Sequence, residues 1–200
     1  MAKKIKSNLD RRAVINKILE KRGDALIVTG LGSSCYDVGA AGDNPLNFYL
    51  WGAMGSAAMI GLGLALAQPK RQVIVITGDG EMLMGIGSLA TIGISKAPNL
   101  SIVVLDNEAY GETGQQDTAT KHGVSLSGIA RACAMKDCRD INTMVEVQAL
   151  RDRIHQGGGS LFAQIKIDPE KIPLVLPPRD STFIKNRMRV SILGQSALHD

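Results

Sequence analysis

Val73-Ile74-Val75-Ile76-Thr77 runs without a break into Gly78-Asp79-Gly80. A run of five apolar or β-branched residues with no polar alternation reads as a strand buried on both faces, which is the mark of a parallel sheet. The design recurs at Ser101–Asp106 (SIVVLD), which ends at Asn107. The segment between has room for one right-handed crossover helix, placed at Gly85–Ser95, so the two strands should be neighbours or nearly so. Asp79 and Asn107 then stand at the carboxyl ends of adjacent strands, where open α/β sheets bind ligands. The fold class that follows is α/β: a three-layer, doubly wound, mainly parallel sheet. Two hundred residues suit a single domain, residues 1–200, with tails expected at 1–7 and 195–200.

One carboxylate, one amide oxygen and a glycine-bracketed loop suit a hard cation such as Mg²⁺, which takes oxygen ligands and is commonly shared with phosphate oxygens. Gly78 and Gly80 allow backbone to approach a phosphate, and a following helix N-terminus offers N–H groups to it. Gly-Asp-Gly by itself is more often only a turn. The second strand ending in asparagine at the matching place is what favours a site. Ala25–Thr29 is the first buried strand, and it ends in Gly30-Leu31-Gly32-Ser33-Ser34. That loop is a second phosphate cradle or, on the simpler reading, an ordinary strand–helix connection capped by Ser34.

Gly78-Asp79-Gly80, 26 residues and then Asn107 resembles the Mg²⁺–diphosphate motif of thiamine diphosphate enzymes. Leu50-Trp51-Gly52-Ala53-Met54-Gly55 is similar to that family's cofactor-bending segment, and Asn107–Gly114 resembles the loop after its second metal ligand. The resemblance covers roughly residues 30 to 116. It implies thiamine diphosphate and Mg²⁺ as cofactors, with the metal held by Asp79, Asn107 and the carbonyl of Ala109. It places the diphosphate against Gly32, Ser33, Ser34, Gly78, Gly80, Glu81 and the Tyr110–Gly111 turn, with the Glu81 carboxylate turned away from it. The carbonyl of Gly52 and the N–H of Met54 would hydrogen-bond the aminopyrimidine, with Ala53 between them in the cofactor-binding segment, and the Met54 side chain would sit beneath the folded cofactor. Thr113, Gln116 and His122 are the candidates for substrate contact or proton delivery. His122 is equally well an exposed loop histidine.

Family enzymes also use a glutamate from a separate pyrimidine-binding domain, and this sequence contains no second doubly wound unit. The resemblance therefore implies a small subunit that completes its site with a pyrimidine-binding (alpha) subunit supplying that glutamate, in a hetero-oligomer with at least two copies of each chain. The implied reaction is decarboxylation of a 2-oxo acid, in the manner of the two-chain sulfopyruvate decarboxylases. A phosphonopyruvate decarboxylase keeps the cofactor and the reaction type and changes the substrate, whereas an acetolactate synthase-like carboligase or an oxidoreductase subunit keeps the cofactor and changes the reaction. A non-catalytic nucleotide-binding module is the rival from another class, but no G-x-x-x-x-G-K-[ST] loop is present.

Composition narrows the rest. A net charge of +4, with basic residues gathered near the two ends, fits solvated termini or a subunit contact better than a nucleic-acid surface. Cys35, Cys133 and Cys138 lack metal-ligand or iron–sulfur spacing, and reduced thiols in a cytoplasmic protein are expected. No apolar signal region follows the N-terminal lysines. The longest apolar stretch, Met54–Ala67, is read as a glycine-rich helix too short to span a bilayer. Glu108–Gly123 is read as a long polar loop at the sheet's carboxyl end, where loops carry function.

Overall fold

A computed structural model describes residues 9–170 and 172–198. The tail expected at 1–7 lies outside the described residues. Six strands form one parallel sheet: β1 (Leu26–Thr29), β2 (Asn47–Tyr49), β3 (Val73–Gly78), β4 (Leu100–Asp106), β7 (Asp137–Ile141) and β8 (Leu161–Lys166), in the order β2-β1-β3-β4-β8-β7. Helices α1 (Arg11–Leu19), α2 (Ser33–Ala40) and α7 (Met144–Gln156) cover one face; α3 (Ala57–Ala67), α5 (Ser88–Ser95) and α6 (Leu126–Ala132) cover the other.

Period-two alternation divides the core. Ile27, Ile74, Ile76, Val103, Leu105 and Ile165 point to the α1/α2/α7 side. Leu26, Val28, Val75, Ile102, Val104 and Phe162 point to the α3/α5/α6 side. Both faces are apolar because both are covered, which is why the strands read as unbroken hydrophobic runs. β3 and β4 are direct neighbours, with Gly78 opposite Leu105. β1 feeds a helix on one face and β3 feeds one on the other, so the winding reverses between them. That reversal opens a crevice at the carboxyl ends of β1 and β3.

Local signals set several boundaries. Asp10 caps α1 by accepting from Ala13 N at 2.7 Å. Thr143 and Glu146 form a reciprocal capping box at α7, which Gly157 ends in the left-handed region at φ 68°. Gly61 of α3 faces Val75 so closely that no side chain fits, so close packing on the sheet accounts for that glycine.

The structure departs from the sequence reading in six places. The crossover is two helices, α4 (Asp79–Met84) and α5, broken at Gly85–Gly87. β3 enters α4 with no intervening loop, because Gly78 is itself the N-cap. Gly32, not Ser34, occupies the N-cap of α2. The helix expected from Met54 begins at Ala57. The stretch read as polar loop holds a two-stranded ribbon, β5 (Ala109–Tyr110) with β6 (Gln116–Asp117), and a 3-10 turn over Ala119–His122. The final helix, α8 (Ser181–Leu193), is capped by Asp180, and a 3-10 turn with buried Ala197 follows at Gln195–Leu198, where a tail was expected.

Candidate active site

The crevice between the β1 and β3 ends is a cleft of about 340 Å³. Ser33 and Ser34 line it from the first turn of α2, and Gly78, Asp79, Gly80 and Glu81 from the start of α4. Asn107, Ala109, Tyr110 and Gly111 line it from the end of β4 and the ribbon, with Thr113 and Gln116 farther along the ribbon. Met54 and Met84 give it an apolar wall and are both exposed. Gly32, Gly52 and Ala53 are in the flanking segments and do not line it. His122 is also outside; its Nε2 lies 3.9 Å from Asp117 Oδ2 on the solvent side of the 3-10 turn.

Asp79 is 1% exposed. Thr118 Oγ1 donates to its Oδ2 at 2.5 Å. Thr120 Oγ1 lies 3.1 Å from the same oxygen and 2.8 Å from Asp106 Oδ1, so its single proton serves one carboxylate at a time. Asp106 is fully buried, and its Oδ2 accepts from Gln164 Nε2 at 2.6 Å and pairs with Lys166 Nζ at 2.6 Å. Burial, reinforced by the Asp106 charge, pushes the Asp79 carboxyl up to about 6 against the two threonine hydroxyls. Asn107 Oδ1 accepts from Ala109 N at 3.0 Å, a local turn that fixes the amide beside the ribbon.

Sequence reasoning noted Thr118 only as one polar residue of the long loop and passed over Thr120, Asp106, Gln164 and Lys166 as site residues. Asp106, directly before Asn107, was the available signal; the threonines lie in a stretch without periodicity. Thr118→Val keeps the shape and removes the donor. It should weaken Mg²⁺ binding about 10- to 100-fold and lower stability by about 1–3 kcal/mol. Thr118→Ser should restore most of both, as read by cation titration and thermal melts; a valine variant that binds Mg²⁺ normally would remove the threonine from the site.

Glu81 does turn its carboxylate from the cleft into the base between β1 and β3. Its Oε2 accepts from Thr77 Oγ1 at 2.9 Å, and its carboxylate occupies the space beside Gly30 that a Cβ there would need. Burial raises its pKa, opposed by Thr77 and by the N–H groups of Gly55, Leu31 and Ala57. Glu81 thus joins α4 to the end of β3 through Thr77 and fills the space beside Gly30 after β1, beneath the cleft.

The cleft suits a diphosphate and a hard cation on its own evidence. The donors at the strand tips are a carboxylate, an amide oxygen and a carbonyl, all hard oxygens. A Cβ at Gly80 would stand 2.6 Å from the Tyr110 ring, so only glycine lets α4 begin there. At Gly32 (φ 80°), a Cβ would lie 2.5 Å from Glu112 Oε1, so the chain's own carboxylate already reaches the N-terminus of α2.

Residues 32–156 match the family model described as thiamine pyrophosphate enzyme, C-terminal TPP binding domain. The chain belongs to this family. Among thiamine diphosphate enzymes it is 44% identical over 123 residues to the sulfopyruvate decarboxylase subunit beta of Methanocaldococcus jannaschii, covering 61% of this chain and 65% of that one. It is 33% identical to the subunit of the same name from Methanothermobacter thermautotrophicus, covering 93% of this chain and 97% of that one. The benzoylformate decarboxylase of Polynucleobacter necessarius shares the fold with a TM-score of 0.73 at 20% identity, over 83% of this chain and 34% of that one. The chain thus spans just under two thirds of the first relative and about a third of the solved enzyme. Among the described residues, no helix is long and apolar enough to cross a membrane.

Proposed function

We propose that this chain is the diphosphate-binding small subunit of a two-chain, thiamine diphosphate- and Mg²⁺-dependent 2-oxo acid decarboxylase. The favoured substrate is 3-sulfopyruvate, giving sulfoacetaldehyde and CO₂. The observation that carries this reading is Asp79 and Asn107 on adjacent strand tips, lining one cleft with the first turn of α2. The names of the two decarboxylase beta subunits support the reaction and the existence of a partner.

Asp79, the Asn107 amide oxygen and the Ala109 carbonyl hold Mg²⁺. Ser33, Ser34 and the backbone at Gly80 and Glu81 receive the diphosphate, with the positive end of α2 behind them. Met54 and Met84 offer the apolar surface against which the rings settle and from which water is excluded. Thr113 Oγ1 donates to Gln116 Oε1 at 2.8 Å, which steadies the ribbon that faces substrate. The bound cofactor supplies the electron sink for loss of CO₂. The pyrimidine-activating glutamate comes from the alpha subunit, in a hetero-oligomer containing at least two copies of each chain. His122, exposed beside Asp117, is left without a role at the reacting atoms.

Calorimetry with thiamine diphosphate, with and without Mg²⁺ and against ATP and NAD, tests the cofactor. Mg²⁺-dependent binding of thiamine diphosphate alone is expected; preference for a nucleotide would refute the reading. CO₂ release from sulfopyruvate should be absent with this chain alone and appear when the partner is added. Full turnover without a partner would overturn the two-chain assignment.

A further inference from the structure

The Asp79 and Glu112 carboxylates line the cleft, the Glu81 carboxylate lies beneath it, and among the described residues Arg11 is the one cation in its lining. Arg11 is the first residue of α1, 68 positions upstream of Asp79, and it is only 7% exposed. Its Nε lies 2.7 Å from Asp37 Oδ2, yet neither atom has a hydrogen-bond partner at good geometry. Arg12 takes the other oxygen of the same carboxylate, Nε to Oδ1 at 3.2 Å, and donates through Nη2 to Pro173 O. Two guanidiniums thus share one fully buried carboxylate, and the closer of the two contacts, Arg11 to Asp37, lacks good hydrogen-bond geometry. A buried charge is costly unless it is paired and hydrogen-bonded. Asp37 is four residues past Ser33 on α2, so this ion pair fastens Arg11 to the helix whose first turn lines the same cleft.

We infer that Arg11 is a ligand of the cofactor's terminal phosphate, with Asp37 and Arg12 as its positioning residues. This rests on the thiamine diphosphate reading above. An anion in the cleft would give the buried guanidinium a second acidic partner beside the carboxylate it already shares with Arg12. A guanidinium presents several N–H donors in a fixed fork suited to phosphate oxygens, which a lysine does not. Arg11 therefore favours a ligand that carries the second phosphate over one that ends at the first.

The test is calorimetry on the full chain with Mg²⁺, using thiamine diphosphate, thiamine monophosphate and inorganic diphosphate as probes. Arg11→Gln should weaken the two diphosphates about 10- to 100-fold while changing the monophosphate little, so the preference for diphosphate collapses. Arg11→Lys, which retains the charge beside Asp37 and serves if the glutamine variant does not fold, should keep part of that preference. Unchanged diphosphate affinity in the variants would overturn the role of Arg11 while leaving the cofactor reading standing. Equal loss for all three probes would make Arg11 a structural residue only. Failure of the wild-type chain to bind thiamine diphosphate at all would remove the cofactor reading, and this inference with it.

Discussion

Asp79→Ala should abolish Mg²⁺-dependent binding of thiamine diphosphate, by more than about 100-fold, with the sheet intact. Asp79 contributes the only carboxylate of the proposed donor set. Its place is fixed by Gly78 at the N-cap, by burial and by the Thr118 hydroxyl at 2.5 Å. The metal-free chain has a cost at this position that can be read separately. Burial, then Asp106, raise the carboxyl from 3.8 to about 6. An acid whose folded pKa is raised is harder to ionise in the fold than in the unfolded chain. Its cost is absent below the unfolded pKa, grows between pH 4 and 6, and is complete above that. At about 1.4 kcal/mol per pKa unit, it is on the order of 3 kcal/mol at neutral pH. Asp79→Asn should therefore melt several degrees above the wild type at pH 7.5 without cofactor, and show no such gain at pH 4. The same variant should bind Mg²⁺ poorly. Wild-type Mg²⁺ binding should weaken as pH falls through 6, because the proton and the cation compete for one carboxylate. Normal cofactor affinity in the alanine variant would remove Asp79 from the site.

What could be read in advance was what short-range pattern encodes. Val73–Thr77 and Ser101–Asp106 declare buried strands through composition alone, and their adjacency follows from the length of a single crossover, so Asp79 and Asn107 could be placed together before any coordinates. Asn142 or Thr143 ahead of Val145, Val147, Leu150 and Ile154 announces α7 in the same way, and the structure settles the cap on Thr143 with Glu146 and leaves Val145 exposed. The polar framework of the site has no such signature. Thr118 and Thr120 reach Asp79 only because the ribbon folds back over α4, and Gln164 and Lys166 reach Asp106 across the β4–β8 pairing. Arg11 comes from the far end of the chain and enters the cleft through an ion pair with α2. Contacts of this kind are set by tertiary placement, and hydroxyls or arginines in polar stretches look alike until the sheet order is known. The break in the crossover was hidden for a different reason. Gly85-Ile86-Gly87 sits inside an otherwise apolar helical pattern, and a glycine there reads equally well as a tolerated helix residue or as a stop.

That break supports the second large effect. Gly85→Ala should destabilise the chain by about 1–3 kcal/mol and lower thiamine diphosphate affinity about tenfold or more, whereas Gly87→Ala, two residues on, should do neither. A Cβ at Gly85 would fall well inside contact distance of Gly55 O, and a Cβ at Gly55 would stand 2.9 Å from Gly85 N. Backbone meets backbone here, so no side-chain tip can rotate away. Gly55 is held at φ 92° and Ala53 at φ 52°, so the segment carrying Met54 already sits in conformations that L side chains resist. Beneath it, the Glu81 carboxylate faces the N–H groups of Gly55 and Ala57, which leaves little freedom to recoil. An added methyl must therefore push Met54 off its wall of the cleft or pull the end of α4 away from Asp79. Gly87 has ordinary helical angles, φ −62° and ψ −22°, and open space where a Cβ would go. Alanine there should be neutral or stabilise by about 0.4–1 kcal/mol through the unfolded chain. Melting curves and calorimetric titration of both variants decide the matter. Wild-type affinity in Gly85→Ala, or equal damage from Gly87→Ala, would show that the contact between Gly55 and Gly85 is not what seats Met54.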